Sequence, residues 1–551
     1  MPEHASPAAP PVLVRHLRQS LLWPLRLVRD DANASPEQRQ APWRTLLDPD
    51  AAGPWREHVD EYHGGGFHER HYNEFVSFLP YVQRFLYGEG RARRGGGDAA
   101  QGSPMRVFRR RDLSALRVRL RPGEAPLLLQ VVHVDLYFFY GVDIVLLNVE
   151  VSADELPLPQ ARELMYRFGR AYPAGWDADG QPLHCPAEVE WLDREGRTVA
   201  RSDAGAVEPF LAHVAEHRAP RIAAHWDYVM APLVNHHSDR PGALRYRQIE
   251  YYRMPMMAYL AVDDPKRLTR ADCVGLCLVT GGHEGAGGDV SAPADFEREY
   301  CYDRFWLDAG AAPNTRYLCS GLSLVVVGDA RSAFFRSAER GVLAQFRHQH
   351  FLLFLIAHFQ KAALLMMSDQ LAEALMALDV KRPETVKRFK RQIRRNYVAF
   401  LSFTHRYWFH EISEQAHVKA LFRMCTRHLG VDGVYAEVKE RIHDMSSYLD
   451  ADALRRQANT VVRLTVVTIF GLVGTITAGL LGMSLLAGSG MPLLQRTLTF
   501  IAVLAVAAAL TIYTIVKSKR LSDFLDVVSD ERIGGWNKLR AFAAVWRKDE
   551  G

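Results

Sequence analysis

Six cysteines in 551 residues (Cys185, Cys273, Cys277, Cys301, Cys319 and Cys425) are too few and too scattered for a disulfide framework. Charge of one sign is also scarce. Lys and Arg number 68 against 63 Asp and Glu, a surplus of +5, which on 62.3 kDa gives no argument for nucleic acid. The 39 glycines follow no triplet period, which excludes collagen, and a 48% hydrophobic content excludes a disordered chain. Catalytic signatures are missing as well: GxxxxGK[ST], GxSxG and HExxH do not occur, so the sequence offers no argument for an enzyme. GGHEGAGG (281–288) is rich in glycine but reads as a loop, with no helix after it to cradle a phosphate.

What is present is concentrated near the C-terminus. Leu464 to Ala487 runs for 24 residues without a charge, and Thr497 to Val516 for 20. A membrane-spanning helix needs about 20 mainly apolar residues. Buried core helices are usually shorter and amphipathic. The pair therefore reads as a transmembrane hairpin with spans at 464–487 and 497–516. Arg455, Arg456 and Arg463 precede it, and Lys517, Lys519 and Arg520 follow it, with Arg496 alone between the spans. Basic flanks face the cytoplasm, so both termini are expected there, on a multi-pass protein of the cell inner membrane. HLRQSLLWPLRLVRDD (16–31) is broken by arginines and does not read as a signal peptide.

Upstream, residues 1–105 are expected to be a partly disordered extension. Phe75, Phe78, Leu79, Val82 and Leu86 share a helical face that Pro80 should kink or shorten. From 106 the pattern becomes strand-like. Leu116, Val118 and Leu120 alternate with Arg117 and Arg119, and two dense apolar runs flank Gly141. LPLPQARELMYRFGRAYP (156–173) reads as a helix; EVEWLD, QIEYYR, CVGLCLVT and YLCSGLSLVVVG read as strands. A cytoplasmic mixed α/β domain is expected over 106–335, a long-helix stalk over 336–460, the hairpin over 461–517 and a cytoplasmic tail over 518–551. The fold class is thus an α+β membrane protein.

Three long helical stretches are expected at 337–378, 384–429 and 432–487, with Gly430, Asp432 and Gly433 marking the last break. No proline or glycine occurs between Val434 and Phe470, so one rod can run from the soluble part into the bilayer. Along it Tyr448, Ala451, Leu454, Ala458, Val461, Thr465, Thr468, Leu472, Thr475, Gly479 and Gly482 recur every three or four residues and share a face. This stripe admits two readings. It can be a packing surface, with threonines bonded to their own helix and glycines allowing close approach. Alternatively, it can line water between several copies, because two spans per chain do not enclose a path.

The segment YLDADALRRQANTVVRLTVVTIFGLVGTITAGLLGMS (448–484) resembles the stalk and first span of CorA-like divalent-cation transporters. The resemblance is specific over about 445–520 and architectural upstream. It implies a homo-oligomer, pentameric as in that family, with the ion passing Gly482, Met483 and Ser484 and descending past Thr475, Leu472, Thr468 and Thr465. Leu472 and Val461 would narrow the path. Mg²⁺ is the favoured ion, with Co²⁺, Ni²⁺ or Zn²⁺ behind it. No cofactor is implied beyond a transported or regulatory cation, and the partners are a second copy, the bilayer and the metal, with no nucleic acid. Two departures stand out. Ser484 replaces the asparagine with which the family ends its Gly-Met-Asn motif, so its oxygen sits on a shorter arm. Nothing from Leu485 to Gln495 is charged. The rival expectation is a membrane-anchored sensor or scaffold that kept the fold and lost conduction.

Other clusters carry less. His63, His68 and His71 stand beside Glu61 and Glu69, but in no fixed metal-ligand spacing, and read as surface histidines. Cys273 and Cys277 share one face of an apolar run and read as buried thiols. His236-His237 and His184-Cys185 fall in expected loops. The basic stretch 381–395 reads first as a solvated helix face, and Trp536 to Trp546 as a short amphipathic helix.

Overall fold

A computed structural model of the chain describes residues 11–28, 41–48, 53–58, 69–88, 103–242, 244–250, 253–281, 295–379 and 382–487, with separate positions between 492 and 509. The chain divides into two compact units, 1–442 and 443–551.

The first unit is mixed α/β and built on a fourteen-stranded sheet. Its strands are β1 (Leu13–Val28), β2 (Trp55–Glu57), β3 (Met105–Arg110), β4 (Leu113–Arg119), β5 (Leu127–Phe139), β6 (Val142–Pro157) and β7 (Glu188–Asp193). They continue as β8 (Thr198–Arg201), β9 (Val234–Asn235), β10 (Arg245–Gln248), β11 (Met256–Val262), β12 (Cys301–Tyr302), β13 (Arg316–Cys319) and β14 (Ser323–Asp329). The main order is β12-β13-β14-β11-β1-β6-β5-β4-β7-β8. The two apolar runs flanking Gly141 are the adjacent strands β5 and β6, which turn at Gly141, whose φ of 71° lies in the left-handed region that glycine tolerates.

The N-terminal segment corrects the expectation of an extension over 1–105. β1 lies in the middle of the sheet, antiparallel to β6 from Leu13↔Pro157 to Arg26↔Ile144 and antiparallel to β11 on its other side. Its arginines and Pro24 disguise it as a sequence. Pro24 falls between the end of the β11 pairing at Leu21↔Met256 and the start of the β10 pairing at Leu25↔Gln248, where β1 changes partner and a missing N–H is tolerated. Val14, Leu17, Leu21, Trp23, Leu25 and Leu27 are all buried, and Trp23 stacks edge-on to Trp226 and Tyr246.

The helices of this unit are α1 (Glu69–Val76), α2 (Pro80–Tyr87), α3 (Leu158–Arg167), α4 (Val207–His217), α5 (Ala224–Met230), α6 (Arg270–Leu278), α7 (Phe296–Tyr300) and α8 (Ala333–Arg336). Pro80 does split the first apolar face, and it starts α2 instead of kinking it. CVGLCLVT is not a strand. Its residues 273–278 lie on α6, which Thr269 and Asp272 start with a reciprocal capping box and Val279 closes in the left-handed conformation. Cys273 and Cys277 are buried there, and burial pushes both thiols above their ordinary range.

Among residues described with their side chains, α9 (Val342–Met376) is the one helix long and apolar enough to cross a membrane by length and composition; the 464–487 run is described only in part. It is 78% buried over its most apolar stretch, as a core helix is, and it packs on β1 and β6. The expected stalk over 336–460 therefore begins with a core helix. Gln360 of α9 donates to the carbonyls of Tyr407 and Phe409, and Arg26 of β1 reaches Asp369 and Glu373. The second expected stretch breaks into α10 (Pro383–Tyr407) and α11 (Ala416–Leu429). On α10, Lys387, Arg388, Arg391, Arg394 and Arg395 are exposed opposite buried Phe389, Ile393 and Phe400, a solvated face as read from sequence.

Candidate functional site

The site singled out by the sequence lies on α12 (Val431–Ala487), a continuous helix of 57 residues. At 1.5 Å per residue it measures about 85 Å. Gly430, at φ 64°, closes α11 in the left-handed conformation and bonds back to Arg427, so the break falls where expected. Asp432 and Gly433 lie inside the first turn of α12 and not at its N-cap. Val438 and Ile442 of its first turns are buried, and Arg441 donates to Ser368 of α9 at 2.7 Å.

Within the second unit, Val461, Thr465, Thr468, Leu472 and Thr475 are exposed on this helix. Each threonine hydroxyl donates to the carbonyl one turn back: Thr465 to Val461 at 2.9 Å, Thr468 to Leu464 at 2.8 Å and Thr475 to Gly471 at 2.8 Å. A hydroxyl has one donor and two acceptor lone pairs. With its proton held by the helix, each threonine turns only acceptors outward. The three oxygens climb about 15 Å along one face. They are separated by Leu472, 60% exposed, and preceded by Val461, 56% exposed, apolar surface that a helix standing alone in water would not keep. A Cβ added at Gly479 or Gly482, on the same face, would meet nothing within 4 Å, which leaves room for a close neighbour on that side. Met483 and Ser484 are on the helix backbone, and their side chains lie outside the described residues. Arg496, most of the expected second span and everything after 509 lie outside them too, including the Trp536–Trp546 segment.

The other candidates separate. His63 and His68 fall outside the described residues, as do His71's side chain and the glycines of 282–288. No three His, Cys, Asp or Glu side chains among the described residues are already arranged to hold a metal ion. His184, at φ 64°, lines a cavity of about 560 Å³ with Arg121, Glu163 and Arg167. Both arginines there are ion-paired to the buried Glu163 carboxylate. His236 and His237, set aside as loop residues, stand instead beside His213 and His217 of α4, giving four imidazoles in a chain of ring contacts. The signal for it is the H-V-A-E-H spacing of 213–217, which places two rings one turn apart.

No protein-family model matches the chain. Searches of curated proteins and of solved structures likewise return no match.

Proposed function

We propose that the chain is a CorA-like, homo-oligomeric membrane channel or transporter for divalent cations, Mg²⁺ first, with the α12 stripe as its lining. The observation that supports this reading is the exposure of Thr465, Thr468 and Thr475 on one face of α12; their back-bonding is shared with a packing surface but leaves acceptor lone pairs turned outward. Their outward lone pairs suit the water O–H groups of a hydrated cation and repel the lone pairs of an anion. Mg²⁺ gives up its water reluctantly, so a path that accepts hydrogen bonds from that water fits it. Leu472 and Val461 would interrupt the polar stripe with apolar rings able to dewet. Copies of α12 would close around the path, pentameric in the family resembled, in an inner membrane with both termini cytoplasmic. Apolar Leu464, Leu498, Ile501 and Val506, all more than half exposed within their unit, support a lipid or helix environment.

Purified full-length protein in liposomes tests it. Mg²⁺ and Co²⁺ uptake is expected, and Thr468→Val with Thr475→Val should lower it at least about tenfold, the equivalent of 1.4 kcal/mol at the barrier. A second reading, an anchored sensor or scaffold, draws on Ser484 and the uncharged run 485–495, which gives cations no electrostatic concentration. Absence of flux for every divalent ion, unchanged by those variants, would establish the scaffold instead.

A further inference from the structure

Five of the six cysteines lie on elements that meet in one corner of the first unit, and the proposed conduction path uses none of them. Cys273 and Cys277 are on α6, Cys301 on β12, Cys319 at the end of β13 and Cys425 on α11. Cys319 and Cys425, 106 residues apart in the chain, bring their sulfurs to 3.5 Å, and both are fully buried. The backbone makes this approach. Gly321, at φ 78°, turns the chain from β13 towards β14 so close to α11 that a Cβ there would stand 3.0 Å from the His428 carbonyl carbon and oxygen.

The two sulfurs are not equivalent. The Gly321 N–H also donates to Cys319, which makes Cys319 the acceptor of the pair and Cys425 its donor. The hydrogen bond from Cys425, with that of Gly321 behind it, holds the Cys319 thiol below its ordinary range against the effect of burial. Cys425, which keeps the shared proton and is buried, is pushed well above that range. Buried thiols are often inert. The contacts that seat this end of α11 are at the surface, however. Arg427 and His428 each bond the Glu299 carbonyl at 2.8 Å, and His428 stacks on Tyr300. Exposed bonds of this kind open first in local fluctuations, and a small oxidant can enter when they do.

We infer that Cys319 and Cys425 are a modification site, a dithiol that hydrogen peroxide converts reversibly to a disulfide, with Cys319 attacking and Cys425 resolving. The Cys319 thiolate attacks one peroxide oxygen, the O–O bond breaks, and the hydroxide released takes up the proton Cys319 had lost, giving water. The sulfur of Cys425 then attacks the S–OH of Cys319, the S–O bond breaks, and hydroxide leaves with the Cys425 proton as a second water. Two electrons have passed from the sulfurs to the peroxide. A disulfide of about 2.05 Å requires the sulfurs to approach by roughly 1.5 Å more. Thiol reductants reverse the change by exchange. The bond ties α11 to the sheet just before Gly430, where the chain turns into α12. The inference does not depend on conduction.

The test exposes full-length protein in detergent to hydrogen peroxide at up to millimolar concentration. Remaining thiols are alkylated in denaturant, and the peptides are mapped by mass without reduction. Expected are a peptide pair joined through Cys319 and Cys425, four alkylated cysteines of the six, and return of all six with dithiothreitol. In Cys425→Ser, Cys319 should stop as a sulfenic acid and take up dimedone. In Cys319→Ser, oxidation of Cys425 should slow at least about tenfold, because the more acidic thiol is gone. Thermal melts verify the fold of each variant, and where one does not fold the map of the unsubstituted protein decides alone. Six free thiols after peroxide, or a disulfide from either residue to Cys277 or Cys301, overturns the assignment. So does undiminished dimedone labelling of Cys425 in Cys319→Ser.

Discussion

Three threonines and two fully buried histidines behave oppositely toward protons and water. The threonine hydroxyls lie in the open and have given their protons to the helix. His225 and His350 are enclosed, and burial lowers each from the usual histidine range to about 3. An unfolded chain protonates them near 6.5, so it takes up protons that the folded one refuses. Stability from these two is complete above pH 6.5 and declines as the pH falls toward 3, by about 1.4 kcal/mol per pH unit for each. His350→Phe, beside the Tyr317 and His417 rings, should remove about 2 kcal/mol of the loss between pH 7 and pH 5. Urea melts at the two pH values measure it. The positions of the threonines were legible in the sequence because helical spacing is a matter of counting. Their back-bonding was one of two readings, since side-chain rotamers leave no trace in the order of residues. The His217–His237 contact could not be read at all, because twenty residues and two elements, α5 and β9, separate the two.

Elements were legible where one local signal dominated and obscure where two competed. β5, β6, β7 and α3 came out of period and flanking residues alone. CVGLCLVT failed that way: its β-branched and apolar content argued for a strand, but Thr269-Arg270-Ala271-Asp272 is a helix start written directly before it. Thr269→Ala should therefore destabilise the first unit by about 1 kcal/mol through loss of the cap, seen as a shift in the urea midpoint without a change in slope. Gly430→Ala tests the junction of α11 and α12. A methyl group meets strain at φ 64°, so a loss of about 1 kcal/mol is expected in the same experiment. The division of the expected second long helix into α10 and α11 escaped notice because residues 408–415 contain neither glycine nor proline. The break is held by tertiary bonds, Gln360 to the Tyr407 and Phe409 carbonyls and Ser413 to the Ser77 carbonyl.

Taken whole, the molecule is organised by pairings across long stretches of sequence. The mixed α/β character of the first unit was readable, but the sheet's membership was not, because β1 looks like a basic, proline-broken leader until its partners are seen. Removing residues 1–28 should leave β6 and β11 without a shared neighbour and abolish the cooperative thermal transition of the first unit, measured by near-UV circular dichroism. The oligomer expected for conduction is a property of the same scale. A stable monomer in mild detergent would leave only the two expected spans per particle and no enclosed route. The central placement of β1 also carries a consequence for synthesis. β1 is flanked by strands made later, at 142–157 and at 256–262. During translation one hydrogen-bonding edge stays unmatched until 142–157 has left the ribosome and the other until 256–262 has, at a few to twenty residues per second. The nascent polypeptide must keep that apolar ribbon shielded throughout the interval, a demand that falls on chaperones or on the membrane surface near the exit tunnel.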